Sequence, residues 1–179
     1  MLKMILVVVA VLLIAFFIYV AQRPADFRIE RSATISAPSA IVFARVNDLH
    51  AWQEFSPWAK LDPNAKISFA GPQAGTGAAF TWVGNSDIGE GTMTITESKP
   101  AELVRFRLDF LKPMASTSTA EFAFKESTGG TTVTWSMLGK NNFVARTICL
   151  FMDMDKMIGG QFEKGLAKLK ELSEAAAKK

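Results

Sequence analysis

The 179-residue sequence holds only one cysteine (Cys149), one histidine (His50) and one tyrosine (Tyr19). A lone cysteine excludes an intrachain disulfide and leaves the redox compartment open. A lone histidine, far in sequence from that cysteine, excludes the usual nitrogen–sulfur zinc site, so no metal is expected. A nucleophile–base–orienter triad lacks its parts as well. His50 follows Asp48 and Leu49 where a helical pattern ends, a place where histidine often meets carbonyls, and no catalytic residue is assigned. Net positive charge is also scarce, at +3. The lysines of "EKGLAKLKELSE" alternate with glutamates as on a solvated helix face, so nucleic acid is not an expected partner. "GPQAGTG" lacks the Gly-Lys-Ser/Thr ending of a phosphate loop and leads into a strand; it reads as a hairpin connection, and no cofactor is expected.

The most informative absence is that of charge in residues 4–21, "MILVVVAVLLIAFFIYVA". As a helix, eighteen residues reach roughly 27 Å, enough to cross the hydrocarbon core. A cleaved signal peptide is the competing reading. Its apolar region is shorter, and cutting after Ala21 would place Tyr19 where a small side chain is needed. The sequence is therefore divided into an anchor (1–22), a linker (23–26) and a folded domain (27–179). "QRPAD" reaches no more than about 18 Å, which keeps that domain close to the bilayer. The expected localisation is a single-pass membrane protein with an N-terminal anchor. Arg23, Arg28 and Arg31 follow the span and oppose the usual signal-anchor direction, so the side of the membrane stays open.

Beyond the anchor the apolar period is two, then 3.6, then two again, then 3.6. "FRIERSATIS" alternates as a half-buried strand, with Arg31 the one charge on the apolar side. "APSAIVFARVND" switches to helical spacing, with Val42, Val46 and Leu49 on one face, and "NDLHAWQEFSPWAKLDP" follows. From residue 65 onward six runs alternate: Ile67 and Phe69; Phe80 and Trp82; Met93 and Ile95; Val104, Phe106, Leu108 and Phe110; Ala120, Phe122 and Phe124; Val133, Trp135 and Met137. Seven strands, six of them consecutive, make a meander that must curl to bury one face. Residues 143–152 read as a short lead-in. Residues 154–176 read as a long helix with a stripe at Ile158, Phe162, Leu166, Leu169 and Leu172. The fold class expected is α+β: a curved seven-stranded antiparallel sheet around a long C-terminal helix, two short helices after the first strand, and one transmembrane helix ahead of it.

That order, carried by "RSATISAPSAIVFARVNDLHAWQEFSPW", "GEGTMTITESKP", "GGTTVTWSM" and "FEKGLAKLK", resembles the START-like, helix-grip superfamily. Within it the likeness is to the polyketide-cyclase/dehydrase and lipid-transport (SRPBCC) branch, over roughly residues 26–175. The resemblance implies a sheet gripping a long helix, with an apolar cavity between them for a lipophilic ligand. It implies no single activity, because the fold hosts transporters, receptors and cyclases alike.

On that reading the pocket lining would be drawn from Trp52, Phe55 and Trp58 of the helical connection and from the inner faces of the strands. The strand residues are Phe80, Trp82, Met93, Ile95, Phe106, Leu108, Phe122, Phe124, Trp135 and Met137; Met157 and Phe162 would come from the long helix. Any one of these would also serve an ordinary core. Arg31, Glu90 and Asn85 are the candidate polar groups, with local salt bridges and turn contacts as the alternative. The expected function is binding, with transport as its extension: a membrane-anchored protein that holds a hydrophobic small molecule or lipid in a cavity between the sheet and the C-terminal helix. A cyclase/dehydrase-like enzyme using the same cavity, or a tethered interaction module without a ligand, are the alternatives. The partners expected are the bilayer, through residues 4–21, and that small molecule.

Overall fold

The computed structural model describes residues 1–178. It begins with α1 (Leu2–Ala21), a helix long and apolar enough to cross a membrane by length and composition, whose only buried residue is Val20. Four residues later β1 (Asp26–Ile35) opens the folded part. α2 (Ser39–Asn47) follows Pro38, whose fixed φ suits a helix start, and buries Val42 and Val46. α3 (Leu49–Phe55) starts at once, because the Asp48 carboxylate accepts from the amides of His50 and Ala51 and caps it. His50 therefore lies in the first turn of a new helix and meets no carbonyls at the end of the old one. A 3-10 turn, Trp58–Lys60, completes the connection.

Six strands follow: β2 (Lys66–Ala70), β3 (Ala79–Val83), β4 (Glu90–Lys99), β5 (Leu103–Lys112), β6 (Ser116–Ser127) and β7 (Gly130–Lys140). They pair in sequence, and β1 closes onto β7, giving one antiparallel sheet in the order β1-β7-β6-β5-β4-β3-β2. α4 (Phe143–Ile148) leads to α5 (Met154–Ala177), which is capped by Asp153. The expected α+β fold is the observed one.

The register gives the sheet two distinct ends. At one end lie the start of β1 and the end of β7 (Asp26 opposite Lys140), the β5–β6 hairpin, and the β3–β4 loop (Val83 opposite Glu90). At the other lie Ile35, Gly130 and the β4–β5 turn. These are called the near and far ends below, near being the end that α1 joins.

α5 is fastened along one side of the sheet. The Arg31 guanidinium, on the inner face of β1, donates to Asp155 (2.8 Å) and to Glu163 (2.8 Å). Lys170 Nζ donates to the Thr34 carbonyl (2.7 Å), and the Ser36 amide to Glu174 Oε1 (2.8 Å). Two glycines permit the approach. A Cβ on Gly159 would stand 2.2 Å from Arg31 Nη2, and one on Gly165 would stand 2.6 Å from the Trp135 ring. Held in this way, α5 packs mainly on β1, β7, α2 and α3, and stands off from the inner face of β3 and β4.

Candidate ligand cavity

This inner face bounds a cavity of about 520 Å³, with Ile158 and Phe162 of α5 across from it, within the span of roughly 300–1,000 Å³ usual for small-molecule sites. Its floor is formed by buried Trp52, Phe80, Trp82, Met93, Ala120, Trp135, Met137 and Phe162, with half-buried Trp58, Leu108, Phe110, Ile88 and Ile158 around them. All four tryptophans of the chain are on its walls. Trp135 stacks on Phe162 (ring centroids 4.2 Å apart) and is met edge-on by Trp52 and Trp58. Such pairs fix the walls, since offset and edge-to-face aromatics hold one another in defined orientations.

The space is unevenly distributed because residue size steps along the inner face of β6. Phe122 and Phe124 point inward towards the far end, whereas Ala120 and Ser118 do so towards the near end. Phe122 and Phe124 therefore fill the far half as core, Phe55, Ile95 and Phe106 pack into the same buried cluster, and none of the five lines the cavity, contrary to expectation. Phe124 instead meets Phe43 edge-on. Met157 is half exposed on the outer side of α5, one position before Ile158, which does line the cavity. A helical step of 100° separates the two.

The three polar candidates are elsewhere too. Arg31 is consumed by Asp155 and Glu163; those hydrogen bonds raise its pKa and hold the Asp155 carboxyl below the ordinary aspartate value. Glu90 accepts from Lys112 Nζ (2.6 Å). Asn85 closes a turn, its amide donating to Asp62 Oδ2 (2.7 Å) and its side chain to the Leu61 carbonyl.

Several lining residues escape sequence reasoning. Ile67, Phe110, Ala120 and Ile158 sit on apolar faces that the periodicity marks, but nothing in that pattern separates them from core. Gln53 of α3, Lys112 at the end of β5, and Ser56, Asp62, Pro63, Ser86, Asp87 and Pro113 of the connections are brought to the cavity by the folded chain alone. Two nitrogens on lining residues, Gln53 Nε2 and the Trp135 indole N–H, are buried without an acceptor among the described residues. A buried donor left in that state costs about 1–3 kcal/mol.

His50 stands apart from the cavity. Its ring stacks on Phe69 at 3.9 Å, is half exposed, and borders a separate surface hollow with Gly71, Pro72, Gln73 and Ala79 at the far end. Asp48 beside it is held below its ordinary value: against the desolvation of its position, hydrogen bonds from Gln73 and from the His50 and Ala51 amides favour the carboxylate. No cluster of His, Cys, Asp and Glu able to hold a metal occurs among the described residues.

A curved antiparallel sheet fastened to one long helix along a single side, with an aromatic cavity over the other, defines a helix-grip protein with an internal apolar site. The sequence places it more narrowly: the chain belongs to the polyketide cyclase / dehydrase and lipid transport family, which it matches over residues 26–174. Solved structures share the fold. Protein CV1439 from Chromobacterium violaceum superposes with a TM-score of 0.59 at 15% identity, over 85% of this chain and 99% of that one. Protein Ms6760 from Mycobacterium smegmatis gives 0.58 at 17% identity, over 83% and 92%. The di-domain ARO/CYC StfQ from the steffimycin biosynthetic pathway gives 0.62 at 10% identity, over 87% of this chain and 53% of StfQ, so this chain spans about half of that protein. No curated protein matches the sequence.

Proposed function

We propose that the protein binds a hydrophobic small molecule or lipid in the cavity between the sheet and α5, while α1 anchors it in a membrane and residues 27–179 form the binding domain. The observation that carries this reading is the cavity itself: about 520 Å³ walled by aromatic and thioether side chains, beside a far half that is packed solid. Membership of a family whose description includes lipid transport supports it, as does a 20-residue apolar helix in which Val20 alone is buried.

A cyclase-type reaction would need a group within the cavity that moves protons. His50 is at the opposite end of the sheet, and the ionisable side chains on the lining are Asp62 and Asp87 of connecting loops and Lys112 at the end of β5, all around the opening. Binding is therefore the better-supported reading of this site.

No α1 residue belongs to the core cluster, so residues 23–179 are expected to fold without it. Organic extraction of that purified fragment, followed by mass spectrometry, should release a lipophile. Titration with a long-chain fatty alcohol should shift the emission of the four tryptophans. A fragment that is consistently empty, and whose fluorescence no lipophile alters, refutes the proposal.

A further inference from the structure

The cavity opens at the near end of the sheet. Its exposed rim comes from Pro63 ahead of β2, from Ser86 and Asp87 between β3 and β4, and from Lys112 and Pro113 at the β5–β6 hairpin. Strand register places all three connections at the end where β1 begins, which is where α1 joins the domain. Residues 22–25 span at most about 18 Å between Ala21 and Asp26. They are also tied down: Arg146 Nη1 donates to the carbonyls of Ala21 (3.0 Å) and Arg23 (3.3 Å), and the Asn141 amide donates to that of Ala25 (2.8 Å).

α4 lies beside α1 at a depth that can be worked out. The Phe143 ring stacks on Phe17 with centroids 5.5 Å apart. Phe17 is four residues before Ala21, about 6 Å up the helix axis. A 20-residue helix is about 30 Å long, the thickness of the hydrocarbon core, and has little slack. Whenever α1 spans a bilayer, Phe17 is thus inside its edge, and Phe143 is drawn to the same level. Next to Phe143 in the chain Val144, Ile148, Phe151 and Met152 are exposed, with Met157 following on α5, and Leu111 is exposed near the end of β5 at the same end of the sheet. Phe151 is 80% exposed, a poor arrangement in water and a natural one in lipid.

We infer that α4 and the loop through Met152 form a foot seated in the headgroup region of the bilayer that α1 crosses, and that this seating turns the mouth of the cavity towards the membrane surface. The occupant of the apolar patch is the lipid bilayer itself. Its continuity with α1 and the shared depth of Phe17 and Phe143 select it over a protein partner. This rests on the anchor proposed above. It adds an entry route, since a lipophile reaching the cavity from the bilayer would pass the rim without crossing bulk water.

Cys149 is the chain's only cysteine, exposed and central to the patch. The full chain, reconstituted in vesicles of phosphatidylcholine with phosphatidylglycerol, is labelled there with an environment-sensitive fluorophore. A second protein carries Cys149→Ser and His50→Cys, placing the label at the far end. The Cys149 label should be quenched by nitroxide lipids and shielded several-fold from aqueous iodide relative to the far-end label. Ile148→Asp with Phe151→Asp, both at exposed positions, should move it back into water. Equal iodide quenching at the two positions, in protein that floats with the vesicles, overturns the proposal, as does a label indifferent to the double substitution. Protein that does not float removes the anchor and the proposal with it. The label reads lipid contact whether or not the cavity holds a ligand, so an empty cavity and an unseated foot are separate results.

Discussion

Replacing Ala120 with leucine tests whether the cavity is real space. Ala120 is 3% exposed, lines the cavity, and is flanked across the sheet by Phe106 and Met137. Leucine adds three carbons. At about 0.8 kcal/mol per buried CH₂ the gain is about 2 kcal/mol, less about 0.5–1 kcal/mol of side-chain entropy. Ala120→Leu should therefore stabilise the ligand-free fragment by about 1–1.5 kcal/mol, a rise in Tm of roughly 2–6 °C for a domain of this size. The same side chain occupies ligand volume, so affinity for a lipophile should fall at least about tenfold, or 1.4 kcal/mol. Urea unfolding followed by tryptophan emission reads the first quantity, and a fluorescence titration the second. Were the space already filled, the added carbons would overpack it and cost about 1–3 kcal/mol. A loss of stability of that size refutes the reasoning.

Two glycines of α5 should respond with opposite signs. Gly165→Ala drives a Cβ to 2.6 Å from the Trp135 ring and should cost about 1–3 kcal/mol, whereas Gly160→Ala meets open space and should gain about 0.5–1 kcal/mol; thermal melts of both variants distinguish them. The Asp155 carboxyl, held below its ordinary value by the hydrogen bond from Arg31, contributes stability that is complete above the unfolded value of 3.8 and is lost as pH falls through the lower, folded value. Asp155→Asn should therefore be less stable than the parent at neutral pH, with the gap closing in acid; urea midpoints measured from about pH 6 down to about pH 2 check it. A gap independent of pH would show that Asp155 acts by packing alone. His50→Ala should leave lipophile affinity unchanged, because its ring stacks on Phe69 outside the cavity; a clear loss in titration would place His50 in the site after all.

Much of this architecture is legible in the linear pattern. Alternation of period two marks β1 and the six consecutive strands, and spacing of 3.6 marks α2 and α5 with the stripe Phe162, Leu166 and Leu169, because burial on one face is a local geometric demand. The same logic separates α1, where charge is absent for a span that fits a bilayer. What periodicity reports, however, is which face is inward. It does not report whether the inward space is filled. Phe122 and Ala120 occupy equivalent inner positions on β6, yet one is solid core and the other lines the cavity. Arg31 points inward as its place in the alternation requires, but Asp155 and Glu163, more than a hundred residues away, consume it.

The sequence by itself determined the element order, the inner face of each strand and the apolar leader, since each follows from short-range periodicity and composition. Only the tertiary structure decided that α5 is fastened to β1, that open space is left over the inner face towards the near end, and that rim residues from three connections lie at the end of the sheet that α1 joins. Those outcomes depend on side-chain volumes and ion pairs summed across distant segments, and no local window of the chain contains that sum.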